Sequence, residues 1–358
     1  MIRPVPSVAA MASYALADLG DANAVSLAQN ESAFPTSPAA LEAGQAALAR
    51  SPLYPDPDWQ DLRMAIASVH GLATDSILCG AGSMELIGCL IRGFAGAGDE
   101  VVGSQYGYLF VATACQQAGA RYVQALEPEL TVSVDELLNA VTPATRIVFL
   151  CNPGNPTGTR ILNSDILRLR ASLPEAVLLV IDQAYGEFDD QDHRVLFQLV
   201  DHGNTLITRT FSKAYGLAAA RVGWGCFPSL VADEVRKLLN PNNVTHFSQD
   251  MAAAAMRDQS HMLNVVHQTA QIRSRFVERL RGAGLSVPRS HTNFVLIKFA
   301  GAAAAAHAND ALRNSGYLLR GMAGYGLPEC LRATIGRADV MDKVAEILIK
   351  QQDETHDS

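Results

Sequence analysis

The chain has 358 residues, 49% apolar and 18% charged, and its 28 basic against 36 acidic side chains leave a net charge of −8. At about 150 residues per domain the length fits about two domains, and a charged fraction below the roughly 25% of average globular proteins points to a large interior and to apolar surface hidden in an oligomer. No basic run occurs, so the electrostatic footprint of a nucleic-acid binder is missing, and the richest apolar stretch, 77–94, carries Glu85 and Arg92, which argues against a membrane span.

Near the N-terminus Pro4, Pro6, Ser7 and Ser13 interrupt a run of small residues that Asp18 ends, so no continuous apolar signal core is expected. From 76 to 226, β-branched runs alternate with helical patterns. The runs Ile77 to Cys79, Val101-Val102, Tyr122-Val123, Arg146 to Leu150, Val177 to Ile181, Thr205 to Thr208 and Val222 to Trp224 predict strands. Near-continuous apolar strands separated by helices are the mark of a sheet covered on both faces, so the expected fold class is α/β. It has a three-layer large domain and a mostly parallel sheet of about seven strands. After Phe227 the pattern changes: Pro228 opens a helix ending near Asn240-Pro241, and a long helix runs from about His261 to Arg281, stopped by Gly282. Strands at Asn293 to Phe299, Tyr317 to Arg320 and Leu331 to Ile335, a helix start at Ala302 to Ala306 and a last helix from about Ala338 to Lys350 make a smaller α+β domain; 351–358 is a polar tail. The six cysteines, widely spaced and without a C-x-x-C pair, read as core thiols of a reducing, cytoplasmic compartment.

Four loops sit just past strand ends, where open α/β sheets bind ligands. Gly80-Ala81-Gly82-Ser83 opens a helix and is either an anion cradle or a tight strand-to-helix turn. It is not a dinucleotide fingerprint, because Glu85 occupies the third glycine position, nor a P-loop, because no Gly-Lys-Ser/Thr follows. The segment 152–158, N-P-G-N-P-T-G, bends the chain sharply near a strand end or is a plain surface turn. Asp182, closing an apolar strand, is costly to bury unless a cation meets it, and otherwise caps the next helix. Lys213, between hydroxyl residues and eight residues before Arg221, is either a solvated charge or an amine held for covalent work. Pyridoxal phosphate chemistry would use all four together: an anion cradle, an acid for the pyridinium nitrogen and a Schiff-base lysine.

The ordered set Asn30-Glu31, Tyr54-Pro55-Asp56, Gly80 to Ser83, Tyr106, N-P-G-N-P-T-G, Asp182-x-x-Tyr185, Ser212-Lys213 and Arg221 resembles the class I/II aminotransferases of the aspartate aminotransferase fold, over residues 2–350. Within them, Tyr317 to Arg320, Gly324 to Pro328 and Cys330-Leu331-Arg332 are similar to the histidinol-phosphate aminotransferases. The resemblance implies pyridoxal 5'-phosphate as cofactor and no metal. It implies ping-pong Schiff-base transfer of an amino group between histidinol phosphate and 2-oxoglutarate, and a cytoplasmic homodimer with shared active sites. Its domain division is an N-terminal arm, 1–40, joining a small domain, 251–350, beside a cofactor-binding large domain, 41–250. Aromatic amino-acid aminotransferases, threonine-phosphate decarboxylases and C–S lyases share the fold and stand as alternatives.

By position, the resemblance makes Lys213 the Schiff-base lysine, pairs Asp182 with the pyridine nitrogen and sets Asn155 and Tyr185 on the ring hydroxyl, with Tyr106 stacked on the ring. Lys213, Asp182 and Tyr185 are thus the catalytic set. Ala81, Gly82, Ser83, Ser212, Arg221 and Thr210 are assigned to the cofactor phosphate, with Tyr54 reaching in from the neighbouring subunit. Arg332, helped by Arg320, is assigned to the substrate's anionic end, with Asn30 and Asn155 beside it and Tyr14 covering it. Met84, Ser13 and Gly321 depart from the usual pattern.

Overall fold

The seven expected strands form one sheet. The computed structural model describes residues 2–11 and 24–356. Its strands are β1 (Val25–Ser26), β2 (Ile77–Gly80), β3 (Glu100–Ser104), β4 (Arg121–Ala125), β5 (Thr145–Cys151), β6 (Leu178–Asp182), β7 (Thr205–Thr210), β8 (Gly223–Cys226), β9 (Phe294–Lys298), β10 (Tyr317–Leu318), β11 (Arg320–Gly321) and β12 (Cys330–Thr334). The large sheet runs β2-β8-β7-β6-β5-β3-β4, parallel except for β8, which is antiparallel to both its neighbours. Strands β2, β3, β6, β7 and β8 are buried along their whole length, as runs apolar on both faces require, whereas β4, at the edge, is fully buried only at Ala125. Two glycines let β8 approach its surroundings: a Cβ on Gly223 would stand 2.1 Å from the Ser83 nitrogen, and one on Gly225 2.8 Å from the Ile207 carbonyl.

A second sheet, β11-β12-β9, is antiparallel and carries its own apolar cluster, including Val295, Ile297, Leu331 and Ala333. The chain near its N-terminus joins this unit: β1 pairs with β10, Leu27 enters the cluster, and the Leu27 carbonyl accepts the Thr334 N–H at 2.9 Å. The helix Gln259–Gly282, 24 residues and about 36 Å long at 1.5 Å per residue, connects the two cores. Its Met262 packs in the large cluster, and its Phe276 and Leu280 pack in the small one.

Three elements differ from the sequence reading. The helix after Pro228 stops at Arg236 rather than near Asn240. A helix His246–Arg257 follows, capped by the Thr245 side chain on the Ser248 N–H at 3.3 Å. Its four consecutive alanines hide an apolar period, and it packs with the large cluster across residue 250, where the sequence reading divides the units. The last helix continues from Ala338 to His356, past the expected end at Lys350, because Gln, Asp and Glu at 351–354 are residue types a helix accepts and no Gly or Pro stops it. All six cysteines are buried free thiols, and no helix among the described residues is long and apolar enough to cross a membrane.

Candidate active site

The carboxyl ends of β5, β6 and β7 open onto a cavity of about 460 Å³, closed on the far side by residues 28–31 and by Arg320, Tyr325 and Arg332 of the small unit. Asp182 ends β6 at its floor and is 2% exposed. Its Oδ1 accepts the Thr208 hydroxyl at 2.8 Å, and the Cys151 thiol lies 3.9 Å from its Oδ2. Burial pushes the carboxyl up to about 6, while the hydrogen bonds from Thr208, the Ala184 N–H and Cys151 pull it back. Among the described residues no cation forms an ion pair with it.

Lys213 follows β7 and lines the cavity; its Nζ donates to the Gln29 carbonyl at 3.0 Å and lies 6.0 Å from the centre of the Tyr185 ring. Burial first, then the Arg332 charge, lowers the amine to about 7; Glu31 opposes this shift and Arg221 adds to it. The Tyr185 hydroxyl accepts the Asn30 side-chain N–H at 2.8 Å, and burial pushes it far above the ordinary phenol range. Asn30 is itself buried, with φ of 55° and its backbone N–H on the Thr334 hydroxyl at 2.9 Å. Asn155 accepts Arg332 Nη1 on its Oδ1.

Of the segment 80–83 expected to hold the cofactor phosphate, only Ser83 lines the cavity. Ser83 and Met84, the first residues of the helix Ser83–Phe94, line the cavity, and their N–H groups have no acceptor within the helix. Ala81 and Gly82 do not line it: the Ala81 N–H is held by Glu85 Oε2 at 2.7 Å and the Gly82 N–H by the Gly80 carbonyl at 2.7 Å. Gly82 has φ of +81°, and a Cβ there would stand 2.5 Å from Arg221 Nη2. Arg221 spans the other side, Nη1 donating to the Ser212 hydroxyl at 3.4 Å and the Ala218 carbonyl at 3.1 Å. Thr210, Ser212 and Arg221 all line the cavity.

At the small-unit side Arg320 and Arg332 are directly paired residues of β11 and β12, and both face the cavity. Arg332 is buried, with Nη2 on the Ala28 carbonyl at 2.8 Å and its guanidinium 5.3 Å from the centre of the Phe294 ring.

Of the two tyrosines flanking Gly107, the cavity is lined by Tyr108, not by the expected Tyr106. The Tyr106 backbone N–H is fixed by Glu127 at 2.9 Å, and its ring packs with the cluster of Leu296, Met322, Leu327 and Cys330, whereas Tyr108 stands at the start of the helix Leu109–Ala118, facing inward. Tyr54 is 86% exposed and outside the cavity of its own chain. Tyr14 lies outside the described residues. The sequence analysis did not assign Glu31, Met84, Tyr108 or Tyr325 to the site; Glu31 and Met84 directly follow assigned residues, but nothing in the sequence set their side chains toward the cavity. Among the described residues the one group with the ligand types of a metal site is Asp189, Asp190 and His291, and the Arg160 guanidinium already pairs with both carboxylates.

These residues fit pyridoxal phosphate. A buried carboxylate without a cation suits a protonated ring nitrogen, a near-neutral amine suits covalent attachment, and a helix N-terminus facing a guanidinium suits the phosphate.

The sequence profile of aminotransferase class I and II matches residues 22–348. The chain is 42% identical over 346 residues to a histidinol-phosphate aminotransferase of Jannaschia sp., covering 96% of each, and 39% identical over 350 residues to that of Cereibacter sphaeroides, covering 97% of each. It superposes with a TM-score of 0.91, at 29% identity and over 99% of both chains, on the crystal structure of histidinol-phosphate aminotransferase from Sinorhizobium meliloti in complex with pyridoxal 5'-phosphate.

Proposed function

The chain belongs to the class I and II aminotransferases and is a pyridoxal 5'-phosphate-dependent transferase, and on that premise we propose that it moves an amino group between histidinol phosphate and 2-oxoglutarate as a cytoplasmic homodimer. The observation that carries the substrate is the pairing of Arg320 with Arg332 across two adjacent strands at one wall of the cavity. Two guanidinium forks there match a dianionic phosphate, or the carboxylates of a dicarboxylic oxo acid, better than one would.

The bound cofactor supplies an electron sink for the bond broken at the substrate carbon. Asp182 favours a proton on the ring nitrogen, because a cation there repays the burial of its own charge. Lys213 would hold the cofactor covalently, and as a free amine it would carry a proton at the reacting carbon; an amine lowered to about 7 has both protonation states within reach near neutrality. Tyr185, with Asn30 fixed on its hydroxyl, and Asn155, tied to Arg332, would hold the ring hydroxyl, and Tyr108, which lines the cavity where Tyr106 does not, would pack on the ring. Ser83, Ser212, Thr210 and Arg221, all at the cavity, would hold the phosphate.

The dimer reading is supported by Tyr54, which is exposed, as are Leu41, Leu48, Leu53 and Phe247, large apolar side chains that the described residues leave open to solvent. In this reading Tyr54 reaches the phosphate site of the neighbouring subunit.

The test is a donor panel. The wild-type enzyme is expected to form glutamate from 2-oxoglutarate with histidinol phosphate in preference to phenylalanine. Arg320→Ala is expected to lower kcat/KM for histidinol phosphate about tenfold or more, since a charge-assisted bond is worth roughly 1.5–3 kcal/mol, and to harm phenylalanine less. Equal losses, or a wild-type preference for phenylalanine, would make the enzyme an aromatic aminotransferase instead.

A further inference from the structure

Glu85 stands where a dinucleotide fingerprint would place its third glycine, and the assignments above give it no role. From the first turn of the helix Ser83–Phe94 its side chain turns back, and Oε2 accepts both the Ala81 N–H at 2.7 Å and the Asn243 side-chain N–H at 2.6 Å. Asn243 is held in turn: its Nδ2 lies 3.3 Å from the Cys79 carbonyl, and its Oδ1 accepts the Trp59 indole N–H at 3.1 Å. There is little slack, since a Cβ on Gly80 would stand 2.9 Å from Leu86 and 3.3 Å from Glu85 Oε2. The loop 80–82 is therefore fixed on the side away from the cavity by residues distant in sequence, while Ser83 and Met84 face inward.

We propose that Glu85, held by Asn243, is a positioning residue for the cofactor phosphate: by taking the Ala81 N–H it fixes the turn that aims the Ser83 and Met84 N–H groups into the cavity. This rests on the reading of that helix N-terminus as the phosphate site. The role is one of geometry rather than charge. A carboxylate is favourable at a helix N-terminus but repels a phosphate bound there, so the charge itself works against the ligand. Glutamine keeps the accepting oxygen and drops the charge, whereas alanine removes the acceptor and frees the loop.

The full-length apoenzyme is titrated with pyridoxal phosphate and, separately, with pyridoxal, which lacks the phosphate. Glu85→Ala is expected to raise the Kd for pyridoxal phosphate about tenfold or more while changing that for pyridoxal by less than about twofold, a split that general damage to the fold would not produce. Glu85→Gln is expected to restore affinity to within about threefold of wild type, or to bind more tightly. Wild-type affinity in Glu85→Ala, or equal weakening in both variants, would overturn the proposal. Should Glu85→Ala fail to fold, Asn243→Ala replaces it, with the same split at about threefold or more; unchanged affinity there overturns the proposal too. If wild type itself binds pyridoxal phosphate no better than pyridoxal, it is the phosphate-site reading that falls.

Discussion

At the residue scale the decisive groups are Lys213 and Asp182, both shifted toward neutrality by burial. With Lys213 lowered to about 7, capture of pyridoxal phosphate by the apoenzyme is expected to accelerate as the pH rises through 7 and to level off above it, followed as growth of the visible band. A midpoint near the ordinary lysine value would contradict the burial argument. The same shift makes the apoenzyme more stable as pH rises from about 7 toward the ordinary 10.5, because the unfolded chain then binds a proton that the folded chain does not. Asp182→Asn is expected to keep the cofactor and lower kcat by about 10²-fold or more, as an amide favours the charged ring far less. Near-normal turnover would remove that role. Both residues were legible in the sequence because each ends or follows an apolar strand, and together with the glycine-rich and Asn-Pro loops they make a set that one chemistry uses, although each alone has an ordinary structural reading. Tyr108 was not: two tyrosines separated by one glycine carry equal sequence signals, and only the Glu127 contact at Tyr106 and the helix beginning after Tyr108 distinguish them.

At the scale of elements, the cradle depends on how closely β8 approaches the helix Ser83–Phe94. Gly223→Ala would place a methyl group against the Ser83 backbone, which cannot swing aside as a side-chain end would. The expected result is a loss of about 1–3 kcal/mol of stability in the apoenzyme, together with weaker binding of pyridoxal phosphate, read by thermal melting and by titration. Unchanged values for both would mean that the loop has room to move. The strands of the large sheet were readable because burial on both faces leaves unbroken apolar runs such as Leu178 to Ile181. The helix His246–Arg257 was not, since alanine fills both its buried and its partly buried positions and no period survives. Nor does any local signal join β1 to β10, a pairing of residues 292 positions apart that exists only in the folded chain.

At the scale of the whole molecule, a site completed by Tyr54 from a second copy would be visible in mixed dimers. Lys213→Ala subunits combined with Tyr54→Ala subunits are expected to regain activity above either parent, because each heterodimer then holds one site with both residues intact. No gain over the parents, with dimers demonstrated by sedimentation, would place Tyr54 outside the catalytic site. The helix Gln259–Gly282 has a mechanical consequence for such an assembly. Rooted in the large core through Met262 and in the small one through Phe276 and Leu280, it is one continuous element that fixes the distance between them. Because the cavity is lined from both cores, the packing at either end of this helix sets how far Lys213 and the cradle stand from Arg320 and Arg332.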